Sequence, residues 1–157
     1  MAKSPKRSAP SWHELAQPGT GKRAQWARGL NRTRWFPCGR AFDAVAVTPM
    51  DRGLDVLTKL RIHPRRGCLV LADHVRNVLY VMVPPGTGHV LTGLPGVRVL
   101  SDGSELLMPA TYSDSTAAAD LISHPPAGRP PVLVDTDQLA GHLHALTTRV
   151  PERAPAP

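Results

Sequence analysis

Two stretches of the chain share a Pro-Gly-Thr-Gly core: QPGTGKR at residues 17–23 and PPGTGHV at residues 84–90. A glycine-rich turn running into a lysine is how many proteins cradle phosphate. Backbone amides wrap the anion, the lysine reaches the terminal phosphates, and a following hydroxyl holds magnesium. That loop requires G-x-x-x-x-G-K-[ST] between a strand and a helix. Aligned on Lys22, this chain has Ala16 where the first glycine belongs and Arg23 where the hydroxyl belongs, and the polar SWHEL ahead of it does not read as a strand. The second copy carries His89 at the lysine position. Both copies read as turns in which glycine supplies a positive φ.

Asp135-x-Asp137, directly after the apolar Val132–Val134, is the next candidate. Two carboxylates at a strand end can bind Mg or Mn for nucleotidyl transfer. The competing assignment lets Asp135 end the strand and Thr136 or Asp137 cap the helix that follows, which needs no metal. A two-metal centre would want a further carboxylate or basic partner in a recognisable setting, so the cap is preferred. Asp135 and Asp137 stay as the catalytic candidates, and the chain reads as more binder than enzyme. The seven histidines are scattered, and His142 and His144 stand two apart on a predicted helix, where they point in different directions. Cys38 and Cys68 form no C-x-x-C and read as small core residues in a reduced, cytoplasmic compartment, with no metal or cofactor expected.

The charge is concentrated. Residues 1–34 hold Lys3, Lys6, Arg7, Lys22, Arg23, Arg28, Arg32 and Arg34 against Glu14 alone, and so carry the whole formal net charge of +7. Trp12, Trp26 and Trp35 lie in or beside the same segment. Cations that seek phosphate, interleaved with rings that can stack on bases, point to DNA or RNA, with Trp26 and the eight cations as candidate contacts. An acidic protein is the other partner this arm suits, and the tryptophans could instead anchor the arm to the body.

The elements that must position these residues follow from periodicity. Ser11–Ala16 reads as a short helix with Ser11 as N-cap and Glu14 as its capping-box partner, and a further helical turn or two fits Lys22–Leu30. Ala44–Val47 reads as a strand buried on both faces. Thr48 as cap and Pro49 at the first helical position start an amphipathic helix with Met50, Leu54 and Leu57 inward and an Asp55/Lys59 pair outward. Cys68–Ala72 and Val78–Val83 form a hairpin, as do Val97–Leu100 and Glu105–Met108 around Asp102-Gly103. A short helix is expected within 111–123, a last strand at Val132–Val134, and a closing helix with Leu139, Leu143, Leu146 and Val150 on its apolar stripe. No apolar run reaches the roughly 18 residues of a membrane span. The expected architecture is one α/β (α+β) domain over 35–150, a mixed, mostly antiparallel sheet covered by two or three helices, with a basic, partly disordered arm over 1–34 and a disordered tail over 151–157.

The stretch RWFPCGRAFDAVAVTPMDRGLDVLTKL, the strands ending in VPPGTG and the terminal DxDxLAxxLxAL pattern resemble a module of actinobacterial proteins of the bifunctional DNA primase/polymerase-like family, over roughly residues 35–147. The resemblance implies kinship in fold or genomic context. Catalytic members resemble one another in an early hhhDhD pair, a downstream S-x-H and a further carboxylate. Here the pair comes late, at 135–137, and Ser123-His124 stands upstream with no intervening residue. The resemblance therefore implies an accessory or regulatory module, with a metal-dependent nucleotidyltransferase or a protein-interaction module as alternatives.

Overall fold

The computed structural model describes residues 10–17, 23–24, 27–28, 32–112 and 119–149. Residues 1–9 of the arm expected to be partly disordered, the tail expected to be disordered at 151–157, most of the turn or two at Lys22–Leu30, and Val150 lie outside them.

The centre is β2 (Asp43–Val47), whose DAVAV sequence is buried at every position. It pairs antiparallel with β4 (Val78–Val83) on one side and β5 (Val97–Leu100) on the other. β3 (Val70–Asp73) pairs antiparallel with β4, and β7 (Ala119–Ser123) with β3, so the five-stranded order is β5-β2-β4-β3-β7. The β3–β4 hairpin forms as its spacing predicts. Its turn is held by Asp73, which accepts the amides of Val75 and Arg76, and by Asn77 at φ 56°.

Alternation along β2 sends Val45 and Val47 to one face and Ala44 and Ala46 to the other, each into a separate core. Helices α1 (Trp12–Ala16), α2 (Met50–Lys59) and α3 (Thr136–Arg149) cover the first face. Gly53 lets α2 lie close on β4, because a Cβ there would stand 2.7 Å from Leu79 Cδ2. Ser11 caps α1 through the Glu14 amide as expected. Trp12 is 2% exposed and donates its indole N–H to the Ile62 carbonyl at 2.9 Å. One tryptophan of the basic segment is therefore a core anchor.

The opposite face is covered by β1 (Thr33–Pro37) and β6 (Glu105–Pro109), a two-stranded antiparallel ribbon, with Phe36, Leu106 and Met108 packed toward Phe42, Tyr80 and Leu121. The molecule is thus layered helix, sheet, ribbon, with the α/β class as expected.

Several local expectations are corrected. β5 and β6 flank the Asp102-Gly103 turn but pair with different sheets, because Ser101 donates to Asp43 while the Cys38 amide donates to the Ser104 carbonyl and draws β6 toward β1. Ala119–Ser123 is a strand in place of the expected helix; tertiary pairing with β3 overrides a run rich in alanine. Val132–Val134 contributes one parallel bridge, Cys68 with Val132. Thr48 does not cap α2. Pro49 is the N-cap residue, and Asn77 Oδ1 from the β3–β4 turn accepts the Met50 amide. Asp55 pairs with His13 at 3.0 Å, and no Asp55–Lys59 pair forms. No helix among the described residues is long and apolar enough to cross a membrane.

Candidate functional site

The second Pro-Gly-Thr-Gly does bind an anion, and the anion belongs to the chain itself. Asp43 opens β2 and is 1% exposed. Its Oδ2 accepts the amides of Gly86 at 3.0 Å and Gly88 at 3.3 Å, and its Oδ1 accepts the Ser101 hydroxyl at 3.0 Å. Gly86 sits at φ 78°, and a Cβ on Gly88 would press on Val99 while standing 3.3 Å from Asp43 Oδ2, so both glycines are required by the wrap. The threonine between them closes the other side. Thr87 Oγ1 donates to the Pro84 carbonyl at 2.5 Å, and with its one proton spent it accepts from Thr136 Oγ1 at 2.5 Å. The turn thus ties β2, the end of β4 and the start of α3 together. Asp43 was not a candidate from sequence. The available signal was an aspartate at the head of a fully apolar strand, where an unpaired carboxylate cannot be buried. Of the first copy, 18–22 lies outside the described residues.

Asp135 is the cap of α3: its Oδ1 accepts the Gln138 amide at 3.0 Å and its carbonyl accepts the Leu139 amide. The capping role falls one residue before Thr136 and two before Asp137, because the Thr136 hydroxyl turns inward to Thr87. Asp137 is exposed in the first turn, where its charge complements the helix dipole. The two carboxylates and His89 border an open cleft of about 340 Å³. Asp135 is already engaged with backbone, and among the described residues no group of three or more His, Cys, Asp or Glu is arranged to hold a metal. The donor set therefore does not fit the Mg or Mn centre weighed above.

Cys38 and Cys68 are buried free thiols. Burial pushes both up from the ordinary thiol range, and for Cys38 the neighbouring Asp43 carboxylate pushes further, so neither is an activated nucleophile.

Of the candidate nucleic-acid contacts, Lys3, Lys6, Arg7, Lys22 and Trp26 lie outside the described residues. Arg23, Arg28, Arg32 and Arg34 are exposed. Arg32 immediately precedes β1 and Arg34 lies within it, with the Arg34 guanidinium 5.4 Å from the centroid of Phe36. Between Arg34 and Phe36, Trp35 is 59% exposed and stands at a cleft of about 370 Å³ with Tyr80 on its wall. Arg76 and Arg98 also line this cleft, as do the carboxylates of Asp73 and Glu105. Val75, at the tip of the β3–β4 turn, is 77% exposed beside it. The arginines of this cleft escaped the sequence reading because they come from separate strands and turns; the one local signal was Arg98, a charge interrupting the apolar Val97–Leu100. No family model, curated protein or solved structure matches the chain.

Proposed function

We propose that this protein is a non-catalytic accessory module that contacts single-stranded nucleic acid through β1 and the basic segment ahead of it. The observation that carries the reading is Trp35, 59% exposed at a cleft that Arg76 and Arg98 also line, while Arg34 projects from the other side of the same strand. A large ring left in water beside guanidinium groups suits an unpaired base: the ring stacks, the cations hold the phosphates, and neither demands a particular sequence. The resemblance to a primase/polymerase-like module is compatible with a place beside nucleic acid, while the use of Asp135 as a cap favours binding over nucleotidyl transfer.

Deleting 1–34 is a poor probe, since it removes Trp12 from the core and truncates β1. The test is anisotropy of a labelled oligothymidylate with the full chain and with Trp35→Ala. Loss of one base stack weakens binding by about 5- to 150-fold. Replacing Arg23, Arg28, Arg32 and Arg34 with Gln lowers affinity and flattens its salt dependence, by about 0.7 in log–log slope for each phosphate no longer neutralised. Equal binding by wild type and Trp35→Ala refutes the reading. Metal-dependent primer extension lost in Asp135→Ala would restore the enzymatic alternative, and capture of an acidic protein with no oligonucleotide binding would restore the interaction module.

A further inference from the structure

On the face of the sheet away from Trp35, α2 and α3 leave between them a groove of about 650 Å³ lined by Thr58, Lys59, Arg61, Gln138, Gly141 and His142, with no carboxylate among its lining. Three features converge on it. Asp55, the natural i,i+4 partner of Lys59, is engaged by His13 at 3.0 Å, and among the described residues neither Lys59 nor Arg61 forms an ion pair. Arg61 adopts φ 57° just past the end of α2, a left-handed position that glycine fills without strain. Gly141 stands inside α3, a 14-residue helix, yet a Cβ there would meet nothing within 4 Å, so packing does not explain the poorest helix former after proline. A strained arginine and an unneeded glycine are each a departure from the best local choice, and both line one cationic groove.

We propose that this groove is a phosphate-binding site. Lys59 and Arg61 supply charge, Gln138 supplies a neutral donor, and the missing side chain at Gly141 leaves room for a tetrahedral anion against α3, while the Thr58 hydroxyl is spent on the Leu54 carbonyl. The phosphate comes either from a free phosphorylated small molecule or from the backbone of the nucleic acid proposed above. The site stands without that reading, because it shares no residue with the Trp35 cleft.

The full chain, ¹⁵N-labelled, is titrated with pyrophosphate and followed by amide shifts. Saturable shifts at 58–61 and 138–142 are expected. Arg61→Gly and Lys59→Ala each weaken binding by about tenfold or more, as expected for losing a charge-assisted hydrogen bond. Arg61→Gly also holds or raises the melting temperature, because glycine accepts the left-handed backbone, which separates lost binding from lost folding. Gly141→Ala raises the melting temperature and weakens binding. Shifts confined to Arg23–Arg34, or wild-type affinity in both Arg61→Gly and Gly141→Ala, overturn the site. Displacement of pyrophosphate by oligothymidylate, retained in Trp35→Ala, assigns the phosphate to a nucleic-acid backbone; saturable pyrophosphate binding without such displacement assigns it to a small molecule.

Discussion

Replacing Asp43 tests whether the Pro-Gly-Thr-Gly turn is a structural clasp. In Asp43→Ala three donors lose their acceptor: the buried Gly88 amide, the half-buried Ser101 hydroxyl and the exposed Gly86 amide. The Gly86 amide can turn to water and costs little. A buried donor left unsatisfied costs ~1–3 kcal/mol, and a half-buried hydroxyl falls at the low end, so the expected destabilisation is about 3 kcal/mol. Asp43→Asn keeps one oxygen for the two amides and turns its NH₂ toward Ser101, whose hydroxyl can accept instead, so about 1 kcal/mol is expected. Urea denaturation at neutral pH measures both. A second readout is independent of stability: the Asp43 carboxylate helps hold the Cys38 thiol protonated, so Asp43→Asn brings Cys38 ionisation down toward the ordinary range. An Asp43→Ala protein within about 1 kcal/mol of wild type, or one no worse than Asp43→Asn, would show that the amides do not depend on the carboxylate.

Two further outcomes follow from the geometry. Asp135→Ala costs about 1 kcal/mol in a thermal or urea melt, the loss of one helix cap, and Asp135→Asn or Asp135→Ser restores most of it because any capping oxygen serves; a loss above about 3 kcal/mol would mean the carboxylate does more than cap. Because folding raises both thiol pKa values, the native state keeps its protons where the unfolded chain releases them. The stabilisation is full below the unfolded thiol pKa and is lost as pH rises through the folded values. Stability should therefore fall above the ordinary thiol range, and Cys38→Ala/Cys68→Ala should remove that part of the fall.

Local patterns disclosed the elements whose causes are local. DAVAV has only apolar residues after its aspartate and becomes the buried central strand, and the Met50/Leu54/Leu57 spacing becomes α2. The Ser11 cap and the β3–β4 hairpin are likewise settled within a few residues. Partner choice was hidden. Asp102-Gly103 announces a turn, but that β5 then pairs with β2 and β6 with β1 is decided by bonds from Asp43 and Cys38, distant in sequence. The same holds for the candidate sites. Pro84–Gly88 was legible as a turn, and its anion was not, because Asp43 lies on another strand. Lys59 looked neutralised by Asp55 until α1 brought His13 to that carboxylate.

The chemistry of a phosphate loop is therefore present and already occupied. The Gly86 and Gly88 amides converge on a carboxylate that is 1% exposed, and a phosphate entering there would have to displace a covalently tethered anion whose effective concentration no free ligand matches. Among the described residues, a phosphate would instead be met by side-chain cations on the surface, as proposed for the Trp35 cleft and the α2–α3 groove. Such contacts are screened by salt and tolerant of ligand geometry, whereas a preorganised amide cradle is buried and exacting. That difference separates a surface suited to following a nucleic-acid strand from one built to position a single phosphorus atom for attack, and on it rests the preference for a binding role over a nucleotidyltransferase.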